Sequence, residues 1–346
     1  MDAFYVAVEL LRRPELRGKP LIVAGSGPRA VVTTASYEAR PYGVGSAMPV
    51  SQARRRCPEL IHLPVDMDYY RERSRDVMAL VGELGVPTQP VSVDEVYLEL
   101  TSPPDPVARM SGLVRAIRER LGLDASVGIG PNKLVAKVAS DAEKPRGFVV
   151  LTREQAVERF AGESPLLIPG IGPKTAERLR GYGVNTLGQL QRCTVPGLVE
   201  RFGETHGPAL HDRAHFRESS PVANRAAKSR SVETTFDHDI GEPAELERVL
   251  VQQSQRLGEE LRRKGVAGRT IGIKVRLDDW TTVTRVHTVV EPTNDTELIA
   301  ATALELLRAY APPRPVRLLG VRVAAFEEPA GAIEPEFSTA ERLSLI

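Results

Sequence analysis

The chain has 346 residues, of which 42% are hydrophobic and 26% charged, with a formal net charge of +1. That length calls for roughly two to four domains rather than one core, and near-neutral charge confines any nucleic-acid surface to local basic patches. No apolar run reaches the length of a membrane span, no basic n-region opens the sequence, and Cys57 and Cys193 fit no metal spacing; a cytoplasmic protein with reduced thiols is expected.

MDAFYVAVELL reads as the tail of a strand running into a helix, and Arg12, Arg13, Pro14 and Gly18 mark a turn. PLIVAG (20–25) is a short buried strand, and 30–35 is strand-like. Residues 36–40 start a helical turn that Pro41 and Gly43 interrupt. A short helix is predicted over 48–60, entered through Pro49 and Ser51 and closed by Pro58. Residues 67–84 carry helical periodicity through Tyr70, Val77, Leu80, Val81 and Leu84.

SVDEVYLEL (92–100) then reads as a strand of apolar and β-branched residues bounded by Gln89–Pro90 and TSPP. Asp94 and Glu95 interrupt it. Two charges inside a strand are costly without a cationic partner. Adjacent carboxylates at a strand or hairpin bend suit one or two hard divalent cations, above all Mg²⁺. Taken alone, the pair reads first as a polar strand edge or a hairpin turn, and only the rest of the chain shifts it toward metal.

An amphipathic helix follows over 107–121, a strand at ASVGIG (125–130), a helix capped by Asn132, and a strand at FVVL (148–151). The first part is thus an α+β sheet domain with helices on one face. From about 153 the pattern changes to short helices with Gly and Pro turns. LLIPGIGPKTAERLRGYGVNTLGQL (166–190) has the helix–hairpin–helix form. The backbone at Gly170 and Gly172 can approach a phosphate, the next helix offers its first N–H groups, and Lys174 adds charge. A glycine turn between two packed helices would look the same. RESSPVANRAAKSR (217–230) is polar and aperiodic, as a linker is. Beyond it the order is β-α-β-β-α-β, with Lys228, Arg230, Lys274, Arg276 and Arg285 alternating along the strands. Such a face can follow a DNA backbone or simply be solvated.

Six stretches in this order, DAFYVAVE, TTASYEARPYGVGSAMP, SVDEVYLEL, SVGIGPNKLVAKVASDAEKP, IPGIGPKTAERL and KSRSVETTF, resemble the Y-family DNA polymerases of the DinB type over nearly the whole chain. The resemblance implies an α+β multidomain right-hand polymerase. Its parts would be a palm (1–9 and 66–152), fingers (10–65), a helix–hairpin–helix thumb (153–218), a linker (219–228), a βαββαβ little finger (229–326) and a C-terminal tail (327–346). It implies a monomer that takes primer–template DNA and dNTPs and uses two Mg²⁺ ions. Asp94 would hold both metals, and Glu95 the one that activates the primer hydroxyl. Tyr37, Arg40, Thr34 and Lys144 would meet the triphosphate, Tyr5 would form the steric gate under the sugar, and Phe4 would pack beside it. Gly170, Gly172, Lys174, Lys228, Arg230, Lys274 and Arg276 would face DNA.

The sequence departs from the family at both ends. The family opens with a strand ending in D-x-D-x-F-[FY], and this chain starts at the residue between the two aspartates. Asp2 then matches the second aspartate; the first, a shared metal ligand, and most of the first strand are absent. Met1 takes the place whose backbone carbonyl binds metal. The expectation is impaired activity as written, and the alternative is a catalytically impaired relative acting as a DNA-binding or recruitment module. The last residues, AERLSLI, keep an apolar L-x-L-I pattern of a sliding-clamp tether through Leu343, Leu345 and Ile346, with Arg342 in place of the usual glutamine.

Overall fold

A computed structural model describes residues 1–101, 105–223 and 226–327. It separates into two compact units. One comprises Met1–Leu21, Ser36–Glu38 and Asp66–Ala223; the other comprises Ile22–Ala35, Ala39–Val65 and the described residues from 226 on.

The chain opens directly into a helix, α1 (Phe4–Arg12), rather than a strand, and α1 buries Phe4, Val6, Val8 and Glu9. Buried Glu9 is compensated by Arg12 at 2.5 Å, Arg13 at 3.1 Å and the donating Tyr70 hydroxyl at 2.8 Å. Strands β1 (Leu21–Ala24) and β2 (Val32–Ala35) pair antiparallel. Helix α2 (Val50–Arg56), shorter than predicted, packs Val50 and Ala53 against Ile22, Val32 and Val44. A third strand, β3 (Ile61–Pro64), joins β1 on its other side. It is too short and proline-bounded to stand out in the sequence.

Helix α3 (Met67–Gly82) is capped by Asp66, whose carboxylate accepts from the Tyr69 amide at 3.2 Å. A hairpin of β4 (Thr88–Pro90) and β5 (Val96–Leu98) follows. The strand predicted over 92–100 therefore shrinks to three residues. The reason is local: the amides of Val91 and Ser92 both donate to the Glu95 carbonyl, at 2.9 and 3.3 Å, and close a bend. Helix α4 (Pro106–Leu121) is capped by Asp105. Then β6 (Val127–Ile129), α5 (Lys133–Ala142) and β7 (Phe148–Val150) form a β-α-β unit with β6 and β7 parallel. The expected Asn132 cap is present, accepting from the Val135 amide at 2.9 Å. At Gly128 a Cβ would stand 2.0 Å from the Ala136 carbonyl oxygen and 2.4 Å from the Ser140 amide nitrogen, so only glycine lets α5 lie this close.

The sheet expected of the first part is thus divided: β2-β1-β3 is a three-stranded sheet of its own, and β4–β5 and β6–β7 are two separate ribbons. Among the described residues, β5 pairs only with β4 and β6 only with β7. A cavity of about 580 Å³ is lined by residues of both ribbons, with Val96, Leu98, Met110, Leu113 and Val127 on its walls.

Four helices follow: α6 (Arg153–Arg159), α7 (Pro173–Gly181), α8 (Leu187–Gln191) and α9 (Val195–Ala214), the last broken at Gly203. Thr152 and Thr186 form capping boxes. Phe160, Leu179, Leu187 and Leu198 share one core with Leu134, Val138 and Val149 of the β-α-β unit.

The remainder keeps the predicted β-α-β-β-α-β order: β8 (Ser229–Ile240), α10 (Pro243–Arg263), β9 (Gly268–Leu277), β10 (Thr282–Thr293), α11 (Thr296–Tyr310) and β11 (Val316–Phe326). The sheet order is β10-β9-β11-β8, antiparallel throughout. Leu250, Leu257 and Ile299 from the helices pack on Ile271, Ile273, Val275 and Val321. No helix among the described residues is long and apolar enough to cross a membrane. The L-x-L-I ending lies outside the described residues.

Candidate active site and nucleic-acid interface

The adjacent acids of SVDEVYLEL, Asp94 and Glu95, sit on the bend between β4 and β5. Ser92 donates its hydroxyl to Asp94 Oδ1 at 2.6 Å, which fixes that carboxylate from within the bend. The Met1 amine donates to the Asp94 carbonyl at 2.7 Å. Burial pushes the pKa of this amine down, against the pull of the Asp94 charge. Asp94, Glu95, Met1, Lys137 and Lys144 all line the same cavity.

Glu95 makes a direct ion pair with Lys137 of α5. Lys137 also meets Asp141 at 3.2 Å, and Asp141 meets Lys144 at 2.7 Å. The result is an alternating row, Glu95–Lys137–Asp141–Lys144. Burial alone would lower the Lys137 pKa; Glu95 and Asp141 outweigh it and hold the ammonium above its ordinary value. Burial likewise opposes ionisation of Asp141, but Lys144 and Lys137 hold its pKa below the usual carboxylate range. Lys137 and Asp141 were not singled out from the sequence. The signal was their spacing: 137 and 141 are four residues apart on one face of α5, and 144 follows just past its end.

Asp2 is directed elsewhere. It is 3% exposed, accepts from the Ser126 hydroxyl at 2.8 and 2.9 Å, and accepts from the Arg146 amide at 2.8 Å. It is a structural tie to the start of β6, not a partner of Asp94. The donor set at the bend is hard oxygen, which suits magnesium in kind. Among the described residues, no cluster of three His, Cys, Asp or Glu side chains completes a metal cage.

Phe4 is buried, while Tyr5 is half-buried and stacks on Tyr70 with centroids 4.6 Å apart and planes at 22°. Burial pushes the Tyr5 phenol up, and the Asp94 charge pushes it the same way. Tyr5 thus belongs to the surroundings of the acidic bend. Tyr37 lies in the turn after β2 and belongs to the same unit as Tyr5 and Asp94. Thr34 lies on β2 and Arg40 opens a single 3₁₀ turn, both in the other unit.

In the helical region, Gly170 takes a left-handed φ of 88°, and a Cβ there would stand 2.7 Å from Arg213 Nη1. Gly172 caps α7 ahead of Pro173, with open space where its Cβ would be, and Lys174 is exposed beside it. Arg213 adds a cation at this turn that the hairpin motif alone did not point to.

The C-terminal sheet corrects the expected basic face. Arg230 pairs in register with core Val323 and donates to Glu260 of α10 at 3.0 Å, so it faces the helices. Arg285 is opposite core Ile273 and lies over the Tyr310 ring at 5.1 Å, on the same side. Lys274 is on the open face, where it pairs with Glu233 at 3.1 Å. Arg276 donates to the Thr282 hydroxyl at 2.9 Å, and exposed Lys228 precedes β8. Alternation along each strand set two of the five basic residues on the helix side.

Comparison with known proteins agrees with this architecture. Residues 1–141 match the impB/mucB/samB family, 227–336 its C-terminal domain, and 167–215 the DNA polymerase-iota thumb domain. The chain is 40% identical to the DNA polymerase IV of Methanoculleus marisnigri, over 94% of this chain and 93% of that protein. It is 39% identical to the DNA polymerase IV of Streptomyces coelicolor, over 95% of this chain and 70% of that one. A solved Y-family DNA polymerase chimera, Dbh-Dpo4(243-245)-Dbh, superposes with a TM-score of 0.81 at 26% identity, covering 93% of this chain and 96% of the chimera. The chain belongs to the Y-family DNA polymerases of the DNA polymerase IV type.

Proposed function

We propose that the protein is a template-directed DNA polymerase of the lesion-bypass type, adding deoxynucleotides to a primer 3′-hydroxyl. The observation that carries this reading is the acidic bend: two adjacent carboxylates, oriented by Ser92 and Lys137, in a cavity that also holds Lys144. Asp94 and Glu95 are the residues that would hold two magnesium ions. Bound there, such ions lower the pKa of the attacking hydroxyl and offset charge on the leaving phosphates. The chain's own groups bind and orient. Lys144 supplies a point charge to the triphosphate, with Tyr37, Arg40 and Thr34 as further contacts. Tyr5, braced by Tyr70, supplies the flat surface under the sugar. The Gly170–Gly172 turn with Lys174, and the open face carrying Lys274 and Arg276, take the DNA backbone without reading sequence. In domain terms 1–9 and 66–152 act as palm, 10–65 as fingers, 153–218 as thumb and 229–326 as little finger. The protein works in the cytoplasm, with the C-terminal tail as a sliding-clamp tether.

The palm reading has a further consequence. An extended apolar strand ending in a carboxylate would fit between β5 and β6 and bring a third acid to Asp94 and Glu95. The sides of β5 and β6 that pair with no strand among the described residues, and the apolar cavity beside them, support this. Asp2, held by Ser126 and Arg146, does not substitute for that acid. A chain extended before Met1 by roughly seven residues of strand pattern ending in Asp should add nucleotides far faster than the 346-residue chain in single-turnover assays. Equal rates would refute the strand.

The polymerase reading is tested by primer extension with Mg²⁺ and all four dNTPs, in which the added bases must follow the template. Tyr5→Ala should raise ribonucleotide use relative to deoxynucleotide use by about 2–3 kcal/mol of lost discrimination. Unchanged relative incorporation would make Tyr5 a packing residue only.

A further inference from the structure

Glu95 is not an idle carboxylate waiting for a cation, because the ammonium of Lys137 is already against it. Lys137 also has a second seat, Asp141, at 3.2 Å on the same helix. That seat is shared, since Asp141 meets Lys144 at 2.7 Å. All four side chains are partly or largely shielded from water: Lys137 and Lys144 are each 24% exposed, Glu95 27% and Asp141 38%. Charge screening is weaker at such positions than on an open surface.

We propose that Lys137 is a built-in cation that competes with metal for Glu95 and is drawn off to Asp141 when Lys144 leaves that acid for an anionic ligand. The inference rests on the assignment of Glu95 as a metal-holding residue. Its physical basis is simple. A divalent ion arriving at Glu95 must replace or share the ammonium, and is repelled by it in either case. Two cations competing for Asp141 keep Lys137 partly on Glu95. Removing one of them, when Lys144 turns to phosphates, gives Lys137 a full partner elsewhere and clears Glu95. The row would therefore couple arrival of a polyphosphate to opening of the metal seat. This coupling is additional to any metal the nucleotide itself carries.

Metal binding without turnover gives the test. The full chain, free of DNA and nucleotide, is titrated with Mn²⁺, and free ion is followed by electron paramagnetic resonance. Lys137→Met should tighten Mn²⁺ binding by about three- to tenfold, and Lys137→Gln should do the same if the methionine variant folds poorly. Lys133→Met removes the same charge from the same helix, but Lys133 pairs with Gln89 and the Pro221 carbonyl rather than Glu95; its effect should be clearly smaller. Asp141→Asn should weaken binding in the presence of Lys137, and much less in its absence. The tightening should vanish when Glu95→Gln is added. Unchanged or weaker binding in both Lys137 variants, equal tightening by Lys133→Met, or tightening that survives Glu95→Gln would each overturn the competition. If Glu95→Gln alone leaves Mn²⁺ binding untouched, the metal assignment itself fails, which is a distinct result.

Discussion

The acidic-bend region and the C-terminal sheet solve the same problem differently. The first frames its catalytic candidates, on a bend and a helix, with four strands of three residues each, in two separate ribbons. The second builds one sheet from strands of ten to twelve residues and seals one face with two helices. Long strands bury alternate residues and hold themselves. The short ribbons depend on individual tight contacts: Gly128 under α5, Asp2 on Ser126 and Arg146, and the ion-pair row on Glu95. Placing polar groups where chemistry needs them costs regularity there, and the neighbouring helices compensate.

Matched substitutions can break that contrast. Gly128→Ala drives a methyl into the backbone of α5 and should cost more than about 3 kcal/mol in chemical denaturation. Gly272→Ala, on β9 beneath the edge strand β10, meets Val286 at 2.9 Å and should cost about 1–2 kcal/mol, because an edge strand can shift. Equal costs would mean the two regions are equally tolerant. Asp2→Ala removes the acceptor of the Ser126 hydroxyl and the Arg146 amide and should destabilise by about 1–3 kcal/mol. A change within error would show that water replaces the carboxylate.

The smallest effect is pH-linked. The Arg12 guanidinium, followed by the Tyr69 amide, holds the Asp66 carboxyl below its ordinary range. A depressed carboxylate pKa contributes stability that is present above the unfolded-state value and lost as pH falls through the folded-state value. Thermal unfolding of wild type and Asp66→Asn should therefore converge on acidification. A gap that stays constant down to low pH would remove Asp66 as the cause.

The same contrast explains what the sequence reveals. The β-α-β-β-α-β order was legible because strands such as TIGIKVRL alternate over many residues. The Asn132 cap and the Gly170 turn were legible because each needs a particular residue type. The bend at Asp94 and Glu95 was legible only as an alternative to a continuous strand, because its neighbours are strand-formers and a carbonyl, not a turn residue, closes it. The helix-side placement of Arg230 and Arg285 was hidden for another reason. Either could be read as sheet-face charge until the register with Val323 and Ile273 fixed which face it occupies. Lys137 escaped notice because a lysine on an amphipathic helix ordinarily meets solvent.

The central claim is that the acidic bend performs the chemistry while other surfaces hold DNA. The most direct measurement compares single-turnover nucleotide addition with primer–template affinity in the same preparations of Asp94→Asn and Glu95→Gln, made in the strand-extended chain. The account expects each variant to lose at least about a thousandfold in rate, roughly 4 kcal/mol, while affinity stays within a few-fold. Undiminished addition by both variants, or loss of DNA binding in step with loss of rate, would contradict it.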